Sequence, residues 1–193
     1  RIIDVLIAMC NNSKMYEELD FDNDIGSIFD ILNGGYDLKS YISKVFDEIF
    51  KYTFAGRISE VGIANMCLES EFEHYEDNHH AWIGVQFDKV ENCWARNLTC
   101  RYFGYAAVSC ERYAKNVTVA NCRCLETKSI ITGGLRYSFN NWGQQNLFMN
   151  CQSTEGRHDY VTGARVCGPN VFYNCTAFQT YADIGPHHRW AVG

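Results

Sequence analysis

Lys115-Asn116-Val117-Thr118-Val119-Ala120-Asn121 lies 24 residues after Glu91-Asn92-Cys93-Trp94-Ala95-Arg96-Asn97, and both runs close on Asn after residues that alternate in character. The pattern returns in Gln145-Asn146-Leu147-Phe148-Met149-Asn150-Cys151 and Pro169-Asn170-Val171-Phe172-Tyr173-Asn174-Cys175, again 24 residues apart. A weaker copy is Val61-Gly62-Ile63-Ala64-Asn65-Met66. A short alternating run of β-branched and aromatic residues bounded by a bend residue reads as one strand. A repeat of 24 residues leaves room for about three such strands and their turns. Self-similarity at this period signals stacked turns, so the expected fold is an all-β solenoid, a right-handed parallel β-helix.

Stacking places Asn65, Asn97, Asn121, Asn150 and Asn174 in one column. Asn tolerates the bend and offers both donor and acceptor, so each amide is expected to bond its neighbour's backbone. Four sequons occur, at Asn11, Asn97, Asn116 and Asn174, and they favour a secreted, glycosylated protein. A column that buries Asn97 and Asn174 would deny those two a glycan. Cys122, Cys151 and Cys175 each follow a column Asn. They are expected as reduced, buried thiols, because side chains on strands about 4.8 Å apart rarely present the dihedral of a disulfide. Cys10 and Cys67 fit no column and are the better disulfide candidates. No Cys-x-x-Cys pair occurs among the 10 cysteines, which argues against a structural zinc site.

Two intervals exceed the period. Asn65 to Asn97 is 32 residues and Asn116 to Asn146 is 30, so loops of about eight and six extra residues leave the stack. The first holds Glu71-Phe72-Glu73-His74-Tyr75-Glu76-Asp77-Asn78-His79-His80, and the second falls around Ser129 to Tyr137. Loops on a rigid scaffold are where function concentrates. Glu73, Glu76 and Asp77 would suit Ca²⁺, the one cofactor admitted, and His79 and His80 a transition metal, although a solvated charged loop is the simpler reading. No cofactor is required and no metal ligand set is assigned.

Residues 1–57 read differently. Leu38, Tyr41, Ile42, Val45, Phe46, Ile49 and Phe50 recur at helical spacing, giving an amphipathic helix. Its expected task is to cover the end of the β-helix, where strand edges would otherwise lie open. The chain thus divides into a mainly helical segment or cap, 1–57, and a parallel β-helix, 58–193, that stops in mid-turn. The apolar opening Ile2–Met9 is broken by Asp4 and reads as neither a signal peptide nor a membrane span, so secretion would depend on sequence outside the chain.

The net charge of −6 is concentrated in residues 1–60, which hold 6 basic and 11 acidic side chains, against 11 and 12 in the remainder. No basic stripe exists for a phosphate backbone, which excludes nucleic acid as a partner. Residues 128–193 carry five basic and three acidic side chains and are rich in polar and aromatic groups. Asp159 and Asp183 are 24 residues apart, as are Arg165 and Arg189, so each pair is expected to stack on adjacent turns. Beside them lie Arg136, Tyr137, Arg157, His158, Tyr160, His187, His188 and Trp190. Arg captures planar carboxylate or sulfate and the aromatic rings offer a face to sugars, so an acidic polysaccharide is the expected partner.

Two reactions fit. In elimination, Arg165 or Arg189 neutralises a uronate, His158 or His187 removes the adjacent proton, and Tyr160 or Tyr137 protonates the leaving oxygen. In hydrolysis, Asp159 and Asp183 serve as acid and base. Elimination uses more of the residues and is preferred. Arg136, Arg157, Arg165, His188, Arg189 and Trp190 are assigned to substrate binding. A mutually neutralising Asp–Arg surface network is the competing reading of the same residues.

Three runs carry a family resemblance: Gly133-Gly134-Leu135-Arg136-Tyr137-Ser138-Phe139-Asn140, Gly156-Arg157-His158-Asp159-Tyr160-Val161-Thr162-Gly163-Ala164-Arg165-Val166, and Gly185-Pro186-His187-His188-Arg189-Trp190-Ala191. They resemble signature runs of secreted bacterial proteins of the pectate-lyase-like β-helix superfamily, over residues 58–193. Leu135 and Tyr181 stand where that pattern carries Arg and often His. The resemblance implies the β-helix fold and an extracellular role in polysaccharide processing, with no membrane partner. The alternative is a non-catalytic structural module of an extracellular matrix, coat or filament, which would self-assemble or bind extracellular proteins.

Overall fold

The computed structural model describes residues 56–164 and 166–188. The helical reading of 1–57 falls almost wholly outside them, as do Cys10, Arg165, Arg189 and Trp190. The described residues are all-β, without a helix, and so hold no helix long and apolar enough to cross a membrane. Their strands are β1 (Ile58–Ser59), β2 (Gly62–Glu69), β3 (Ile83–Phe87), β4 (Val90–Arg101), β5 (Ala106–Cys110), β6 (Lys115–Ala120), β7 (Arg123–Leu125), β8 (Tyr137–Asn141), β9 (Leu147–Met149), β10 (Gln152–Thr154), β11 (His158–Thr162), β12 (Val171–Tyr173) and β13 (Thr176–Phe178). One sheet of nine runs β12-β9-β6-β4-β7-β10-β13, with β1 and β2 also on β4, and a second runs β11-β8-β5-β3. Every pairing between named strands is parallel.

The sequence period is the register of the larger sheet. Cys93 pairs Val117, Cys100 pairs Cys124, Leu147 pairs Val171 and Gln152 pairs Thr176, each partner lying one full repeat further along the chain. Gly62 pairs Trp94, the same interval as Asn65 to Asn97, so the first loop has the expected length. Thr118 pairs Leu147, so the second insertion is one residue shorter than expected. Alternation decides burial: in β6, Val117 and Val119 are buried while Asn116 is exposed. Inside, Phe139 stacks on Tyr160 with centroids 5.4 Å apart, and Phe148 on Phe172 at 4.9 Å. β5, β8 and β11 are buried at every position, as expected of strands covered on both faces.

The Asn column forms, with a different bond from the one expected. Asn97 donates to Asn65 Oδ1 at 2.8 Å, Asn121 to Asn97 at 3.2 Å, Asn150 to Asn121 at 3.2 Å and Asn174 to Asn150 at 2.8 Å. The amides therefore bond one another and not backbone. All five residues have φ between 50° and 60°, the left-handed region in which Asn is favoured. The column is exposed, so burial does not shield Asn97 or Asn174. What opposes a glycan there is that each Nδ2 already donates along the ladder. A buried counterpart exists at Asn146, whose Oδ1 accepts from Val117 N at 2.8 Å and whose Nδ2 donates to Asn141 Oδ1 at 2.8 Å. Cys122, Cys151 and Cys175 are free thiols, as expected, and so is Cys67, which removes it as a disulfide candidate.

The two loops meet. Lys128 Nζ sits 5.5 Å from Phe72, 5.0 Å from Tyr75 and 5.5 Å from Tyr102, a three-ring cation–π cage. His80 contacts Ser70 Oγ and Lys128 O through its two nitrogens, at 2.9 and 2.6 Å. Asp77 accepts from the Glu73 and His79 N–H groups at 3.0 and 2.7 Å. These bonds organise the loop itself, the simpler of the readings considered for it.

Candidate functional site

The site forms where β8 and β11 begin and the next pass of chain runs beside them. Asp183 bridges His158, and His187 bridges Val161. Three steps separate His158 from Val161, whereas four separate Asp183 from His187, so the later pass carries one extra residue. Such a bulge re-aims a side chain. Gly185 lies in it with φ 102°, and a Cβ there would sit 2.0 Å from Tyr160 O, so glycine is required.

The bulge returns His187 onto His158. Their rings stack at 3.6 Å with planes 12° apart, and His188 lies 4.1 Å from His187. Tyr137 meets all three edge-on, with centroids 5.4, 6.1 and 6.4 Å away. Asp183 Oδ2 approaches His158 Nδ1 at 2.8 Å and His187 Nδ1 at 3.2 Å. The first separation is that of an ion pair, yet His158 Nδ1 has no hydrogen-bond partner, because the oxygen lies out of line with a ring N–H. The two atoms are thus close without a hydrogen bond between them. Arg157 Nη1 contacts His158 Nε2. Burial, followed by the neighbouring His187, holds His158 below the ordinary imidazole range despite Asp183, and burial likewise lowers His188. His158 is 3% exposed, whereas the His187 side chain is 25% exposed and that of Asp183 42%.

Of the residues expected to be catalytic, His158, His187 and Asp183 converge, with His188, Arg157 and Tyr137 against them. Asp159 and Tyr160 do not join them. Asp159 does not stack on Asp183, because the register sets His158 there instead. It is fully buried, accepts from the hydroxyls of Ser138, Ser153 and Thr180, and has its pKa raised by that burial. Tyr160 is buried, and its hydroxyl lies 2.9 Å from Cys151 O and 2.8 Å from Thr176 O. Arg136 is no substrate ligand either. It is fully buried, donates to Ser129 O, and lies 4.6 Å above the Tyr75 ring, fastening one loop to the other. Tyr75 went unnoticed in the sequence because nothing local marks a partner 61 residues away.

A shallow cavity of about 330 Å³ is lined by Gln86, Asp88, Glu111, Arg112, Tyr113 and Trp142. It shares no residue with the histidine cluster. We place the site on the cluster, where convergent titratable groups supply the chemistry. No protein-family model, no curated protein and no solved structure matches the chain.

Proposed function

We propose that the stacked strands form a right-handed parallel β-helix, and that this is a secreted domain acting on an acidic polysaccharide by elimination. The 24-residue register and the amide ladder support the first part. The partly exposed His187 beside Asp183 carries the second. A carboxylate near Nδ1 favours the tautomer protonated there and leaves Nε2 as acceptor. His187 then takes the proton from the carbon next to the uronate carboxylate. The electron pair forms a carbon–carbon double bond as the glycosidic C–O bond breaks, and the leaving oxygen gains a proton from Tyr137 or water. Arg157, half-buried beside His158, is the described guanidinium nearest this chemistry and would bind the carboxylate. Hydrolysis by an Asp159–Asp183 pair is disfavoured, because Asp159 is enclosed by hydroxyls and cannot reach a sugar.

The test is incubation with a panel of uronate-containing and sulfated polysaccharides, followed by ultraviolet absorbance of unsaturated products. We expect product with at least one uronate polymer, and its loss in His187→Ala. No product and no binding across the panel would refute the proposal and favour a structural module.

A further inference from the structure

We infer that His158, Asp183 and His187 form a binding site for one divalent transition-metal ion of the Zn²⁺ or Cu²⁺ kind. One ligand atom from each lies within 4.8 Å of the other two. Asp183 Oδ2 is 2.8 Å from His158 Nδ1 and 3.2 Å from His187 Nδ1. A tetrahedral ion with bonds of about 2.0–2.1 Å holds its ligands about 3.3 Å apart, so the two Asp183 separations change by about half an ångström or less, and tilting of one ring brings both nitrogens to the ion.

An unsatisfied atom points the same way: His158 Nδ1, one of the three ligand atoms, is buried without a hydrogen-bond partner. A buried polar atom without a partner calls for an explanation, and an ion accepted by lone pairs is one that needs no hydrogen in line. Two imidazole nitrogens with one carboxylate suit borderline transition ions; Ca²⁺ and Mg²⁺ want oxygen cages. The rings of His158 and His187 are nearly parallel, 12° apart, so coordination tilts the partly exposed His187 and leaves the buried His158 in place. Three protein ligands leave a fourth position for water or a ligand.

Coordination at Nδ1 puts each ring's hydrogen on Nε2. For His187 this removes the acceptor that elimination needs, so the ion inhibits that reaction; this consequence alone rests on the proposed function. For His158 it opposes Arg157, which donates to the same Nε2 and must withdraw.

The test uses the full chain, stripped with a chelator and titrated with Co²⁺ by visible absorbance and with Zn²⁺ by calorimetry. We expect one ion per chain and a visible band of low-coordinate Co²⁺. His187→Ala and Asp183→Asn should each weaken binding at least tenfold, while the exposed-loop substitution His74→Ala leaves it unchanged. Metal-free unfolding midpoints establish that each variant is folded, and Asp183→Asn serves if His187→Ala is not. Arg157→Gln offers an acceptor to Nε2–H and should tighten binding about tenfold. Absence of stoichiometric binding overturns the site, as does unchanged affinity in a folded His187→Ala or Asp183→Asn. Unchanged or weaker binding in Arg157→Gln overturns His158 Nδ1 as a ligand atom. Because these readouts need no polysaccharide, they succeed or fail independently of the lyase assay.

Discussion

Replacing Asn146 by Ala removes a buried amide that joins three segments. Asn146 is 2% exposed; its Oδ1 is the acceptor for Val117 N, and its Nδ2 donates to Asn141 Oδ1. Asn141 Oδ1 keeps a second donor, Gly143 N at 3.1 Å, so its loss is an ordinary bond of about 0.5–1.5 kcal/mol. The Val117 N–H is left inside the sheet without the acceptor it uses, which costs about 1–3 kcal/mol. Asn146→Ala is therefore expected to destabilise by about 1.5–4.5 kcal/mol, or roughly 3–18 °C in thermal midpoint for a chain of this length. Asn146→Asp tests direction. One oxygen still accepts from Val117 N, but the other opposes Asn141 Oδ1 in a buried setting, so the folded carboxyl pKa must rise. Its stability is then fullest below the unfolded Asp value of about 3.9 and declines as pH rises through the folded value. Urea unfolding at acidic and neutral pH measures both variants. An Asn146→Ala protein within about 0.5 kcal/mol of the parent would refute the reasoning, since surface substitutions fall in that range.

On the exposed ladder, Asn121 has φ 55°, and Ala there incurs a left-handed penalty of about 1–2 kcal/mol that Gly escapes. Both substitutions lose the same amide bonds, so Asn121→Gly should unfold at higher urea than Asn121→Ala, and the reverse order would contradict the ladder geometry. Burial raises the Asp159 pKa, so its contribution is fullest below the ordinary Asp range and is lost as pH rises through its folded pKa. Asp159→Asn should flatten that decline in urea midpoints while Asp159→Ala loses about 1–3 kcal/mol from orphaned hydroxyls; equal effects would count against the hydroxyl cage. The neighbouring Cys151 thiol brings the half-buried Cys175 thiol down to about 7. Iodoacetamide labelling of Cys175 should rise through a midpoint near that value, and Cys151→Ala should move the midpoint upward; an unmoved midpoint would count against that influence.

The repeat was readable because a strand's alternation and a bend residue are local properties, and β6 shows both within its own length. The column of Asn followed from the same spacing. Its bonding did not, since whether an amide meets backbone or another amide depends on the left-handed φ that all five residues adopt. The two long loops were legible as excess length, but not their joining through Lys128 and Arg136, which lie far in sequence from Tyr75.

In the candidate site, residue types were legible and partners were not. Counting one repeat on from Asp159 reached Asp183, as in the larger sheet, yet β11 aligns its His158 with Asp183. Turns between the sheets vary in length, so the smaller sheet does not keep the larger one's period: Tyr137 pairs His158, which falls short of a full repeat. That shift buries Asp159 among hydroxyls and presents His158 to Asp183. The sequence by itself determined the repeating strands and the polar residues available to them. Only the tertiary structure decided which carboxylate faces the histidines, because turn length fixes register, and a one-residue change in register sends a side chain to the opposite face.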